Sequence, residues 1–458
     1  TSCAQSFRAC RRRSPNALNR RVGQTAAADA RPPRMAAPVT QDEFAAWMRP
    51  LGPFGIQPRI AAGVSGGPHS LALAHLAHQW ATSRGGSLLA LIVDHGLRVG
   101  SAAEAARVRD RLSGAGIVAR VIALFVATGA GMQNRARAER MRALLDTCGA
   151  ESRPWLLLGH HAEDQSETLL TRALAGSGPA GLAGIAAVRA ERGALILRPL
   201  LGVDPARLEA TVAAAAQTAE RDPSNADARF LRVRLRGAAL AEAQPALAEA
   251  AARFGERRAA QEAAAAARLA ACAMLSPHGY ARIDLAELGT DAIAVGALGT
   301  LLRLIGGAVF APEAEAVAAL LARGHGTLGG AWLRNPPGAA AILSREPAGL
   351  SPPIPALRGA VWDGRFLMLG DGAPDHWLGA LGCEVLQGDL HLPLTLRGAI
   401  PAIRDSHGRL AAVPTLDYPS SLACRPFALA FAPQGGAPFG WALPAVSGPV
   451  FSRQMTLK

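Results

Sequence analysis

The stretch AAGVSGGPHSLALAHLAHQW, residues 61–80, decides how the chain is read. An apolar run breaks into Ser65, Gly66, Gly67, Pro68, His69 and Ser70, and an apolar-periodic segment starts at Leu71. That order is a strand, a tight turn and a helix N-terminus. Adjacent glycines let the backbone take positive φ and approach a ligand closely, while the helix start presents unpaired N–H groups. Ser65 and Ser70 add hydroxyls. The turn is an expected anion site, and phosphate is the usual anion at a helix N-terminus. A lone Ser-Gly-Gly is a weak signal, because Gly-Gly turns are common, so its context must carry the reading.

Outward from that turn the pattern repeats. Strand-like runs fall at 60–65, 88–96, 118–124 and 154–161, with helix-length segments near 70–82, 101–115 and 133–149. Short apolar strands alternating with helices predict an α/β fold, a parallel sheet covered on both faces. Ligands of such sheets bind beyond the carboxyl ends of the strands. Three of the four strand ends are polar: VSGGPHS, VDHGLR and LGHHAEDQSE. Asp94, His95 and Arg98 bring a carboxylate and a cation to the second, and Ser101 is the expected cap of the helix that follows. In GHHAEDQSETLLTRAL, His161, Asp164 and Thr168 fall at i, i+3 and i+7, with Glu163 and Glu167 alongside. Zinc is the rival reading. His-Glu-x-x-His is absent, and hard carboxylates beside a phosphate turn fit Mg²⁺ better.

Composition narrows the function classes. At 458 residues the chain has room for about three domains of ~150 residues. Arg, Gly, Pro or Asp interrupts every apolar run short of the ~18 residues that span a membrane. Net charge is +13; the first 34 residues hold eight Arg and one Asp, +7, leaving +6 for the rest. A basic body is compatible with a nucleic-acid partner without establishing one. The single lysine is Lys458, which excludes a Walker-type phosphate loop, a Schiff base and a kinase-like phosphate clamp. The six cysteines are scattered, with no Cys-x-x-Cys pair, and argue for a reducing compartment, the cytoplasm. Residues 1–34, rich in Arg, Ser and Ala, are read as an over-extended reading frame ahead of Met35 or a disordered leader, outside the fold.

The ordered set is more specific than any member. SGGPHS, VDHGLR with Ser101 and Glu104, ARAER (136–140), GHHAEDQSETLL, GSGPAGLAG (176–184), LRPLL (197–201), DPSN (222–225) and RVRLR (232–236) follow one another. In this order they resemble the tRNA(Ile)-lysidine synthetases, a bacterial family of PP-loop ATP pyrophosphatases. The likeness covers roughly 59–240 and extends weakly to LGG (328–330), RE (345 and 346) and WDGRF (362–366).

The resemblance implies a PP-loop, parallel-sheet ATP-binding catalytic domain over 35–240. An Ala-rich helical domain over 241–327 and a small β-rich C-terminal domain over 328–458, with tRNA contact, would follow. ATP would place its pyrophosphate on Ser65–Ser70, Gly66, Gly67, Pro68 and His69 included, with Mg²⁺ to neutralise it. The C2 oxygen of the wobble cytidine of a CAU-anticodon isoleucine tRNA would attack the α-phosphorus, and the ε-amine of free L-lysine would then displace AMP. Asp94 is the implied metal or general-base residue; His161 and Asp164 would orient base or lysine, and Glu167 would pair the ammonium. Arg98, Arg137, Arg140, Arg232, Arg234 and Arg236 are implied phosphate or tRNA contacts, joined by Asp222 and Asn225. The oligomeric state is open, a homodimer included.

Three departures stand out. The family loop reads Ser-Gly-Gly-x-Asp-Ser, and here the aspartate is His69, a poorer partner for Mg²⁺. Ala175 stands where an arginine is expected, with Arg172 one turn earlier as a substitute. Met141 replaces a tyrosine. Two alternatives stay in play: another PP-loop tRNA-modifying or amide-forming enzyme, and a tRNA-binding relic in which His69 and Ala175 mark decay.

Overall fold

A computed structural model describes residues 36–94, 96, 100–124, 132–220, 243–386 and 394–433. Six strands form the first sheet: β1 Arg59–Val64, β2 Ser87–Asp94, β3 Val118–Ala123, β4 Trp155–Leu158, β5 Val188–Ala190 and β6 Leu195–Leu197. Their order is β3-β2-β1-β4-β6-β5, parallel except for β5, which runs antiparallel to β6 at the edge. Helices α1 Gln41–Met48, α2 Pro68–Thr82, α3 Ser101–Gly114, α4 Met132–Ala150, α5 Ala162–Leu174 and α6 Pro205–Ala214 cover it. Period-2 alternation sends Ile60, Ala62 and Val64 into the core beneath α1, α2, α3 and α6. Ala61, Leu89, Leu91, Leu156 and Leu158 meet Leu144, Leu145 and Cys148 of α4 on the other face. Both faces are buried, which is why these strands read as continuous apolar runs.

The strand order reverses beside β1: β2 and β3 lie to one side, β4 and β6 to the other. The switch point opens a crevice at the carboxyl ends of β1 and β4. There the backbones nearly touch, and a Cβ on Gly159 would crowd the His69 carbonyl oxygen at 3.1 Å and the Ser70 Cα at 3.3 Å. One local expectation fails. Gly100, at φ +94°, caps α3 with no side-chain hydrogen bond, and Ser101 is the first helical residue. The left-handed turn that Gly100 supplies brings the chain into the helix one residue too early for the Ser101 hydroxyl to cap.

Beyond the first sheet, the Ala-rich stretch is one 29-residue helix, α7 Gln244–Cys272. It packs on α5 and on α8 Ala292–Gly306, followed by α9 Ala314–Arg323. Alanine's short side chain permits this close approach. Strands β7 Ala273–Leu275, β8 Ala281–Ile283, β9 Gly326–Leu328, β10 Ala331–Arg334 and β11 Ala341–Arg345 make an antiparallel sheet ordered β7-β8-β11-β10-β9. It shares a core with α8 and α9. The division expected at 327/328 thus runs through one sheet, since β8 pairs with β11, Ile283 opposite Ala341. Strands of three residues are too short to show a period-2 pattern.

Two small sheets complete the chain. Strands β12 Ile354–Leu357, β15 Gly372–Ala380, β16 Pro401–Arg404 and β17 Leu410–Ala412 form one; β13 Val361–Trp362, β14 Phe366–Met368 and β18 Leu429–Phe431 form the other. The weakly matching motifs meet in their interior. Asp363 accepts from Arg345 Nε at 2.9 Å and Arg365 Nε at 2.7 Å through Oδ2, and from Ser351 N and Oγ at 3.0 and 3.1 Å through Oδ1. Arg345 also donates to the Gly330 carbonyl at 2.7 Å. Arg345 is 7% exposed and Arg365 0%. LGG, RE and WDGRF therefore tie β11 to the β13–β14 turn from inside.

Candidate functional site

The turn after β1 is shaped from within. Gly66 takes φ +84°, and a Cβ there would lie 2.7 Å from Val108 Cγ2 on α3. The Ser70 hydroxyl accepts from the Ser65 N–H at 3.1 Å, lies 3.2 Å from Ser65 Oγ and donates to the Gly67 carbonyl at 2.9 Å. Gly67 is the N-cap of α2 and Pro68 its first residue, and no side chain caps the helix. The start of α2 is thereby turned to the cleft with its positive dipole end unmasked. Behind the turn, the Glu220 N–H donates to the Gly66 carbonyl at 2.9 Å, and the Glu220 carboxylate accepts from Arg111 at 3.1 Å and Arg107 at 3.4 Å. Those bonds hold Glu220 ionised against the cost of burial.

The end of β4 stands opposite. His161 is the N-cap of α5, and Asp164 Oδ2 accepts from the His161 N–H at 3.0 Å while lying 3.5 Å from His161 Nε2. The ring of His161 is buried and stands edge-on to His69, centroids 4.1 Å apart. His69 Nε2 also lies 4.0 Å from Glu209 of α6. Gln165 clamps the turn that follows α5: its Nε2 donates to the Ile185 carbonyl at 3.0 Å and its Oε1 accepts from the Ile185 N–H at 2.6 Å. Arg172 donates to the carbonyls of Gly181 and Gly184 at 2.7 and 2.9 Å. It is engaged in holding that turn.

These groups border one cleft of about 2310 Å³. Of the sequence-derived candidates, Ser65, Gly67, Pro68, His69, Ser70, Asp94, Arg137, Arg140, His161 and Asp164 line it. Gly66 sits behind the turn against Val108, and Glu167 is buried on α5, outside the lining. Asp94, at the end of β2, accepts from the Gly96 N–H at 3.0 Å. His95, Arg98, Asp222, Asn225, Arg232, Arg234 and Arg236 lie outside the described residues.

Several lining residues carried no assigned role in the sequence. Arg198, in LRPLL, is 8% exposed. Burial, together with the charges of Arg189 and Arg137, pulls its pKa down to about 10. His160 is held down to about 4 by burial and by the Arg198 charge, which outweighs the opposing Asp164. Arg258 of α7 and Arg303 of α8 reach the same cleft from elements more than 50 residues further along. No local pattern marks them.

Among the described residues no three His, Cys, Asp or Glu side chains converge as a metal cage. Asp94 and Asp164 are separate hard-oxygen donors beside a phosphate-shaped turn. That set fits Mg²⁺ carried on phosphates, which keeps one or two carboxylates and completes its shell with phosphate and water. Among the described residues no helix is long and apolar enough to cross a membrane.

Known proteins resemble this chain in sequence. The model of the PP-loop domain matches residues 39–243. The tRNA(Ile)-lysidine synthase of Methylobacterium nodulans is 42% identical over 214 residues, 44% of this chain and 59% of that one. The protein of the same name from Methylobacterium sp. (strain 4-46) is 40% identical over 270 residues, 56% of this chain and 76% of its own. The match spans only 53–59% of several of these relatives. The Ruegeria pomeroyi tRNA(Ile)-lysidine synthase is matched over 82% of its length and 73% of this chain at 33% identity, and with it the chain belongs to the tRNA(Ile)-lysidine synthase family.

Proposed function

We propose that this chain joins free L-lysine to C2 of the wobble cytidine of a CAU-anticodon isoleucine tRNA, consuming ATP and releasing pyrophosphate and AMP. The observation that carries the reading is the contact of His69 with His161, 4.1 Å between ring centroids. It brings the phosphate turn and the GHHAEDQSE segment to one cleft at the switch point.

In this reading the turn at Ser65–Ser70 and the start of α2 hold the pyrophosphate of ATP. The cytidine C2 oxygen forms a bond to the α-phosphorus as the bond to pyrophosphate breaks. The lysine ε-amine then adds at C2, the C2–O bond breaks and AMP leaves with the electron pair. Mg²⁺, when bound, neutralises charge on the leaving pyrophosphate. Asp94 and Asp164 take up ammonium protons or metal charge, and His161 orients the base from a ring fixed by its cap. Arg137 and Arg140, exposed on α4, meet RNA phosphates at the mouth. Such chemistry needs positioning more than a protein nucleophile.

Pyrophosphate release by the purified full chain, with ATP, Mg²⁺, lysine and the tRNA each omitted in turn, tests it. Release requiring the tRNA, with labelled lysine ending in that tRNA, is expected. Release that ignores the tRNA, or label that stays free, rejects it.

A further inference from the structure

Among the described residues, Arg198 is the one buried guanidinium lining the cleft that the proposed chemistry leaves without a task. It follows β6 directly, and Leu197 of β6 lies opposite Leu157 of β4, whose neighbour Leu158 lies opposite Gly63 of β1. Arg198 therefore stands at the same carboxyl edge of the sheet as the phosphate turn, two strands or roughly 10 Å to the side. It lines the cleft and is 8% exposed. Its Nη1 donates to the Ala186 carbonyl at 2.7 Å, but its buried Nε has no hydrogen-bond partner among the described residues. Nor does it form an ion pair among them. The nearby Glu191 pairs instead with Arg189. Arg137, Arg189 and Arg258 add further positive charge around it.

A buried cation with an unused donor is costly unless an anion completes it. The missing partner is an oxyanion, and the planar guanidinium edge matches a carboxylate. A small free ligand reaches so enclosed a group more readily than a polyanionic backbone, for which the exposed Arg137, Arg140 and Arg189 are the natural partners. The opposite charge is also in place. Asp164 lines the same cleft as Arg198, and both charges act on His160, so the cleft offers a zwitterion a cation and a carboxylate.

We infer that Arg198 anchors the α-carboxylate of the free amino-acid substrate and sets the preference for an amino acid over a simple amine. The inference deepens the proposed function and rests on it.

The test compares lysine with cadaverine, which is lysine without its carboxylate, in the full chain and in Arg198→Gln and Arg198→Lys variants. Transfer of each amine to the tRNA gives its KM, and pyrophosphate release without amine reports the first step. In the unaltered protein the KM for cadaverine should exceed that for lysine on the order of 10- to 100-fold, the scale of one hydrogen-bonded charge contact. Arg198→Gln should raise the lysine KM by that factor, leave the cadaverine KM in place and leave the KM for ATP and tRNA unchanged. Arg198→Lys, which keeps charge but loses the fork, should fall between. Equal KM values for the two amines in the unaltered protein overturn the inference, whatever the variants do. So does an Arg198→Gln effect of equal size on both amines, or a rise in the tRNA KM alone, which would make Arg198 a phosphate contact. Absence of tRNA-dependent pyrophosphate release from the unaltered protein overturns the proposed function and this inference together.

Discussion

The His69 and His161 rings meet at 71° with centroids 4.1 Å apart, and His69 Nε2 lies 4.0 Å from Glu209. The resemblance implies an aspartate at this position, and the histidine that stands there is packed into the site. Imidazole is a poor ligand for Mg²⁺, so metal affinity should be what the exchange lowers. His69→Asp is expected to reduce the Mg²⁺ concentration giving half-maximal pyrophosphate release several-fold. His69→Ala should not reduce it. Metal titrations of the three proteins at saturating ATP check this, and identical curves for His69→Asp and the unaltered chain would reject it.

Gly66 and Gly67 should respond differently to alanine. Gly66 has φ +84° and no room beside Val108, at 2.7 Å, whereas Gly67 has φ −69° and meets only Ser65 Oγ at 3.6 Å. Gly66→Ala should cost about 1–3 kcal/mol of stability and weaken ATP binding more than tenfold. Gly67→Ala should unfold within about 1 kcal/mol of the unaltered chain. Urea unfolding and nucleotide titration of both variants distinguish them.

That contrast also shows what the sequence discloses. Paired glycines before an apolar-periodic segment announced a strand–turn–helix junction, and alternation of strands and helices announced the parallel sheet, because both patterns are local. Which glycine has the forced φ was not legible, since Val108 lies about 40 residues away in sequence. Arg258 and Arg303 were equally silent, and Arg198 stood in the LRPLL motif with no role attached to it. An arginine in a cleft and one on a helix surface read alike until the fold brings their neighbours together. The short β7 and β8 were hidden for a different reason: three residues cannot display a period. Asp363 is the converse, a motif residue whose resemblance was visible while its enclosed, structural role was not.

Asp363 sits between Arg345 and Arg365, its side chain 1% exposed. Burial alone would raise its pKa, but the hydrogen bond from Arg345 and the charges of Arg365 and Arg345 together bring it below the ordinary value. Removing it strands two buried guanidinium groups. Asp363→Ala is expected to destabilise the chain by about 3–5 kcal/mol. Replacing one exposed partner of an ion pair such as Arg253–Glu249 should cost less than about 1 kcal/mol. Denaturant midpoints measured side by side decide it, and equal losses would mean that the cluster does not tie the sheets together.

His160 gives the pH prediction. Its pKa in the folded protein is about 4, against an ordinary 6.5, because burial and the Arg198 charge oppose protonation. Above 6.5 both folded and unfolded chains carry it neutral and it contributes nothing to the pH dependence. As pH falls from 6.5 toward 4 the unfolded chain binds a proton that the folded one refuses, so stability declines across that window. Below 4 both forms bind it and the contribution levels off. One such group imposes a slope of at most about 1.4 kcal/mol per pH unit. His160→Gln removes the proton site, so its unfolding free energy should fall less steeply between pH 6.5 and 4 than that of the unaltered chain. Urea unfolding at closely spaced pH values measures both slopes, and parallel curves across the window would place His160 in contact with solvent rather than under the field of Arg198.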